Sequence, residues 1–330
     1  MKAARLMEPG RVEWQDAPEP SVDGPGQVLI RTKWATICGS DLHNIFAGTS
    51  LEPYPSRPGY PGHESVGEVL ESTADGIEPG QLVLSVPDLS CSAAFADFQL
   101  VPEHFIVPIQ GTEHIEHVVL AQQLGTVIYA MKRFWPHAET QQTATVIGAG
   151  TAGCFFVHLL KAAGFEQIVV SDVIPERVER AKRFGADVTV VASHQAGDTA
   201  IVDATLELTG GNGADLVIEA AGEDETRAQA LDAVRVDGRV GLFGTPSSLG
   251  PVPFPVNTLF RKKPTLECSH SAQHEPGHAS FRQAIELIQS GSLAAEEIIT
   301  HRIDPASVAD GLELALHPTN DSLKVALVWP

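Results

Sequence analysis

Val146-Ile147-Gly148-Ala149-Gly150-Thr151-Ala152-Gly153 decides how the second half of this chain folds. Thr143 to Ile147 read as a strand, and Cys154, Phe155, Val157, Leu159 and Leu160 carry a helical pattern up to Lys161-Ala162-Ala163-Gly164. A strand, then Gly-x-Gly-x-x-Gly, then a helix is the dinucleotide-binding arrangement. Gly148 makes the tight turn, and Gly150 lets backbone approach a pyrophosphate. Gly153 lets helix and strand pack closely, while Thr151 and Ala152 open the helix whose N-terminus faces the anion. A second strand, Gln167 to Asp172, ends in an acid 19 residues after Gly153. An acid there accepts hydrogen bonds from the adenosine ribose hydroxyls and repels a 2′-phosphate, so NAD is favoured over NADP. Arg177 is read as lying along the adenine, although an arginine there can also pair with a 2′-phosphate.

Outward from this stretch, the pattern divides the chain. Residues up to about 120 are rich in Pro, Gly and short β-type runs such as Val28 to Thr32, Gly67 to Glu71 and Leu82 to Val86, which predicts a barrel-like all-β unit. From about 124, strands alternate with helical stretches (Pro175 to Phe184, Glu223 to Val234) as far as Arg239 to Phe243, the pattern of a doubly wound parallel sheet. An amphipathic helix, Ser280 to Ile288, and a strand at Ile298 to His301 follow.

Composition narrows the function. Lys and Arg number 22 against 42 Asp and Glu, a net charge of −20 that argues against nucleic acid or an anionic membrane surface as a partner. No apolar run is long enough to span a bilayer and the start of the chain has no signal-peptide core, so a cytoplasmic protein is expected. Cys38, Cys91, Cys154 and Cys268 lack C-x-x-C spacing, which speaks against a disulfide framework or a structural zinc knuckle.

Two short frames carry chemistry, Cys38-Gly39-Ser40-Asp41-Leu42-His43 and Gly62-His63-Glu64. Thiolate, imidazole and carboxylate are ligands that Zn²⁺ takes, and a catalytic zinc keeps one position open for substrate. With the dinucleotide stretch, these frames make the chain resemble the zinc-dependent medium-chain dehydrogenase/reductase family, near its alcohol, polyol and threonine dehydrogenases. The resemblance also runs through Gly62 to Val69, Val217-Ile218-Glu219-Ala220-Ala221-Gly222, Gly238 to Gly244 and the closing Lys324-Val325-Ala326-Leu327.

The resemblance implies an α/β fold: a GroES-like β-barrel catalytic domain (1–123), a Rossmann NAD-binding domain (124–270) and a return (271–330) that completes the first. It implies one catalytic zinc, with Cys38 and His63 as ligands. Where relatives carry a further Cys or Glu ligand, this chain has Gln122-Gln123, and glutamine supplies no charge. Glu64 is the alternative, since zinc with Cys38 thiolate and Glu64 carboxylate is neutral, leaving Gln122 to bond a water. Ser40 is expected to touch the substrate oxygen and His43 to pass its proton to solvent, with Asp41 orienting His63. Thr126 is expected near the nicotinamide, Ala220 at the end of the fourth cofactor-domain strand, and Gly244 and Thr245 at the carboxamide. Lys324 is read either as a pyrophosphate contact or as a solvated lysine. Many relatives insert a four-cysteine lobe where only Pro87 to Ala94 stands here, so no structural zinc is expected. The remaining histidines, His104, His114, His117, His270, His274 and His278 among them, show no ligand frame and are read as loop or surface residues, with His270 placed to touch substrate. Pocket walls are expected from Phe46 to Tyr60 and from Ser269 to His278.

The expected activity is oxidation of a secondary alcohol or polyol-type substrate by NAD at zinc, or the reverse reduction of a ketone, in a homodimer or homotetramer. A zinc-free medium-chain reductase of activated double bonds and a non-catalytic nucleotide-binding descendant are the alternatives.

Overall fold

The computed structural model describes all residues except 137–141, 194, 196, 248–249 and 319–320. The chain divides into two units, Thr126–Ala272 and a discontinuous one made of Met1–Gly125 with Gln273–Pro330.

In the unit Thr126–Ala272, six strands form one sheet in the order Val188–Val191, Gln167–Asp172, Thr143–Ile147, Ala214–Glu219, Val234–Leu242, Thr265–Cys268. Every neighbouring pair is parallel. Strands covered on both faces need apolar side chains on both, and Thr143–Ile147 is buried at all of its positions. The strand order reverses direction between Thr143–Ile147 and Ala214–Glu219, which opens a crevice beyond their carboxyl ends. Gly148 and Ala220 sit at that point, with the Ala220 N–H donating to Ile147 O at 2.8 Å.

Backbone conformation and space explain two of the three glycines, Gly148 and Gly153, whereas a Cβ on Gly150 would meet open space. Gly148 has φ +103°, and a Cβ on Gly153 would stand 1.9 Å from Gly148 O. Helix Thr151–Ala162 therefore starts almost in contact with the turn that precedes it. Gly153→Ala is expected to force the two apart, costing about 1–3 kcal/mol as overpacking and weakening dinucleotide binding. Calorimetry of cofactor binding checks this; unaltered affinity would contradict the tight-packing account.

In the discontinuous unit, the long strand Gln27–Thr36 is the spine. It pairs antiparallel with Ser65–Ser72 on one side, and on the other with Phe98–Pro102 near its start and Lys324–Val328 near its end. Leu82–Ser85, Ile106–Pro108 and Ile299–Ile303 extend this seven-stranded sheet. The C-terminal strand is thus built into the first unit, with Ala326 opposite Thr36 and the Ile37 N–H donating to Val325 O at 3.0 Å. The core beneath it packs Leu6, Ala35, Ile45, Tyr60, Phe95, Val325 and Leu327.

The short segment Pro87–Ala94 is tied down by Arg57 and, at its end, by the Ala94 N–H donating to Gly62 O at 2.8 Å. Arg57 donates to Ser92 O at 3.1 Å, to Ser92 Oγ at 3.2 Å and to Leu89 O, pairs with Glu52, and lies 5.1 Å from the centre of the Tyr60 ring. One guanidinium, a planar fork of five donors, ties together two loops.

The expected helix Pro175 to Phe184 is α-helical through Ala181 and then tightens into a 3₁₀ turn, Lys182–Phe184, ended by Gly185 at φ +113°. No described helix is long and apolar enough to cross a membrane.

Candidate functional site

The first cluster grows from the end of strand Gln27–Thr36. Cys38 caps helix Gly39–Phe46, and its N–H donates to Asp41 Oδ2 at 2.8 Å. The other Asp41 oxygen lies 3.0 Å from His63 Nδ1, which is also 3.2 Å from Pro61 O. Pro61 O and the nearby Asp41 carboxylate keep a proton on Nδ1 and turn Nε2 toward Ser40 Oγ, 3.3 Å away. Asp41 thus does two things: it fixes the turn that carries Cys38, and it sets the His63 tautomer. Ser40 and His43, three residues apart, share one face of the short helix.

One ligand atom each from Cys38, His63 and Glu64 lie within 4.8 Å of one another. Glu64 is almost wholly buried, at 1% exposure. Its Oε2 accepts from Thr36 Oγ1 and from Lys324 Nζ, the latter at 2.6 Å. Its Oε1 is buried with no hydrogen-bond partner among the described residues. A buried carboxylate oxygen left bare costs free energy, and an ion bound beside Cys38 and His63 would satisfy it. The donor set of sulfur, imidazole nitrogen and carboxylate oxygen fits Zn²⁺.

Lys324 is not a solvated lysine: its side chain is 3% exposed, and its ammonium bonds Glu64 and Gln123 Oε1, the latter at 3.1 Å. Burial alone would lower its pKa, but the Glu64 carboxylate together with Cys38 and Asp41 outweighs this and the net direction is up. Burial likewise pushes the Glu64 carboxyl up, yet Lys324 and then His63 hold it below the usual carboxylate range. Burial also opposes an imidazolium, but Asp41 and then Cys38 raise the His63 pKa well above its ordinary value. Bound metal and a proton therefore compete for the His63 ring. A charge count from Cys38 and Glu64 alone omits Asp41 and Lys324. These two are opposite in sign, so with both counted a divalent ion would still leave the cluster neutral. Gln122 is buried at 4% exposure on helix Ala121–Phe134.

The second cluster lies at the crevice of the parallel sheet. Asp172 Oδ2 accepts from Ala149 N–H at 2.8 Å and its Oδ1 from Ile174 N–H at 3.0 Å. The acid therefore braces the glycine turn, and each oxygen keeps a lone pair for a further donor. Arg177 is half-buried on helix Pro175–Ala181, and Thr126 is buried on helix Ala121–Phe134. Ala220, Gly244 and Thr245 follow the strands Ala214–Glu219 and Val234–Leu242.

Glu219, not singled out from the sequence as a site residue, organises this end. Its Oε1 accepts from Ala221 N–H (2.8 Å), Gly222 N–H (2.7 Å) and Thr226 Oγ1 (2.8 Å), and its backbone carbonyl from Gly244 N–H at 3.0 Å. Burial pushes its carboxyl pKa up. The available signal was an acid ending the apolar run Leu216-Val217-Ile218. Thr36 was also missed, since nothing local marks a strand threonine as a partner of Glu64. His270 is exposed.

Two family models match. Residues 24–111 match the alcohol dehydrogenase GroES-like domain, and residues 152–290 match the zinc-binding dehydrogenase model. The L-threonine 3-dehydrogenase of Pyrococcus horikoshii is 28% identical over 87% of this chain and 86% of its own length. The sorbitol dehydrogenase of Bacillus subtilis is 25% identical over 100% of this chain and 97% of its own. Among solved structures, the alcohol dehydrogenase TADH from Thermus sp. ATN1 superposes with a TM-score of 0.85 and 25% identity, covering 100% of both chains. Relatives that match end to end and two models from one enzyme class, on a barrel unit and a parallel-sheet unit, lead to one conclusion: the chain belongs to the zinc-type medium-chain dehydrogenases, oxidoreductases that bind zinc and NAD(P) and act on CH–OH groups.

Proposed function

We propose that this enzyme oxidises a secondary alcohol or polyol-type substrate with NAD as hydride acceptor, at one catalytic zinc held by Cys38, His63 and Glu64. The observation that carries the ligand set is the buried, partnerless Glu64 Oε1 beside the Cys38 and His63 ligand atoms. Polyol-type substrates are favoured by the similarity to a sorbitol dehydrogenase along the whole chain.

In the reaction the alcohol carbon gives a hydride to nicotinamide C4 and its oxygen gives a proton to solvent, leaving a ketone and NADH. A bound zinc would supply acidity, lowering the pKa of a water or alcohol oxygen it holds toward neutrality. The chain's residues do the rest. Asp41, 3.0 Å from His63 Nδ1, keeps a proton on that nitrogen, so Nε2 is the atom that would face a bound ion. Ser40 Oγ, already within 3.3 Å of that nitrogen, takes the substrate hydroxyl as a hydrogen-bond partner and relays its proton. A serine hydroxyl cannot keep the proton, so it passes on to the His43 imidazole and from there to solvent. Lys324 neutralises Glu64 from the side away from Oε1 and keeps that carboxylate ionised.

For the cofactor, Asp172 gives NAD its preference by accepting from the ribose hydroxyls and repelling a 2′-phosphate. Asp172→Ala is expected to lower kcat/KM for NAD⁺ about tenfold or more, a charged hydrogen bond being worth about 1.5–3 kcal/mol. The ratio of NADP⁺ to NAD⁺ use should rise. The ratio is the readout, because losing the brace on Ala149 harms both cofactors alike. An unchanged ratio would remove the basis for choosing NAD.

Metal analysis combined with an NAD⁺-reduction screen over polyols, sugars and amino alcohols tests the whole reading. One zinc per chain and turnover of a vicinal or secondary alcohol are expected. Full activity in metal-free protein would contradict it.

A further inference from the structure

We propose a second cation site on the discontinuous unit, formed by His114, Glu116 and His117, for a borderline divalent transition ion of the zinc, cobalt or nickel type. These histidines show no ligand frame in the sequence, yet one ligand atom from each of the three residues lies within 4.8 Å of the others. His117 Nδ1 is 3.7 Å from Glu116 Oε1. Two ligands about 2.0–2.1 Å from a tetrahedral ion stand about 3.4 Å apart, so small side-chain rotations close the set.

The backbone explains the convergence. His114 adopts φ +50°, a left-handed conformation that few non-glycine residues take, at the start of the 3₁₀ turn Ile115–Leu120. The His117 N–H donates back to His114 O at 2.8 Å, and the two rings face each other at 6.4 Å and 19°. His117 is 9% exposed, while His114 and Glu116 reach solvent, so an ion can enter from one side onto a fixed ligand.

The charges around the trio define which ions fit and what opposes them. Imidazole nitrogens exclude magnesium and calcium, which take oxygen ligands. Burial lowers the His117 pKa and favours the neutral ring a metal requires; Glu116 and Glu296 oppose this shift, and Arg302 and His114 add to it. Arg302 is the obstacle. Its Nη2 stands 3.4 Å from His117 Nε2. A metal on Nδ1 puts the ring proton on Nε2, facing one donor with another, so Arg302 must turn away on binding.

The zinc-loaded protein, freed of excess metal by gel filtration and titrated with Zn²⁺ alone by calorimetry, tests this. One further ion per chain is expected at sub-millimolar affinity. His114→Ala and Glu116→Gln, both at exposed positions, should each weaken it roughly tenfold. Arg302→Gln should tighten it severalfold, an effect a merely adventitious surface ion would not show. Cys38→Ser should retain this ion, which separates the site from the catalytic cluster whatever that cluster binds. Failure to take up a further ion below millimolar Zn²⁺, or uptake indifferent to both His114→Ala and Glu116→Gln, overturns the proposal.

Discussion

Cys38→Ser is expected to remove the zinc and to lower kcat by roughly 10³-fold, the equivalent of about 4 kcal/mol of transition-state stabilisation. Serine keeps the size of the side chain but supplies no thiolate, so the ion loses its one anionic sulfur. The local fold gives no reason to collapse: the turn at Cys38 is fixed by its backbone N–H on Asp41, which the substitution leaves in place. Metal content and activity should therefore fall together while the circular dichroism spectrum and cofactor binding persist. A variant that loses the metal and turns over at the original rate would end the zinc mechanism.

Lys324→Met has the larger expected effect on stability. Glu64 and Lys324 form a buried ion pair at 2.6 Å, with side chains 1% and 3% exposed. Removing one member strands the other, and such losses cost about 3–5 kcal/mol. The cost should be largest in metal-free protein, where Glu64 would keep the Thr36 hydroxyl and the neighbouring His63 but no ion pair with a lysine. Bound zinc supplies the missing positive charge, so added zinc should stabilise Lys324→Met more than the parent. Glu64→Gln in the same chain should recover most of the loss by removing the stranded charge. Equal stability of the metal-free parent and Lys324→Met would show that the pair does not carry this part of the unit.

What the sequence revealed divides along a physical line. The dinucleotide crevice was legible because its determinants are local. Gly148 and Gly153 are dictated by one turn and one helix start, and Asp172 ends the very next strand. Cys38, Ser40, Asp41 and His43 were legible because one cap and one helical turn set their relation, and His63 and Glu64 because they are adjacent. Lys324 was not, because its place depends on the register of strand Lys324–Val328 against Gln27–Thr36, a pairing between chain ends that no local pattern specifies. The same holds for Arg57, whose partners at Leu89 and Ser92 lie across a loop. The trio at His114 escaped for another reason: it depends on a positive φ at a histidine, where sequence gives no glycine to announce it. The relation of Glu219 to the turn beyond its own strand is short-range, and its acid in an apolar run could have been read.

The central claim is that one sulfur, one imidazole and one carboxylate form the catalytic metal centre. X-ray absorption at the zinc edge of the purified Glu116→Gln enzyme, freed of loosely held metal by gel filtration, tests it most directly. The account predicts a single sulfur at about 2.3 Å and the remaining ligands as nitrogen or oxygen at about 2.0–2.2 Å, with the sulfur lost in Cys38→Ser. Two sulfur ligands, none, or an active enzyme that holds no zinc would contradict it.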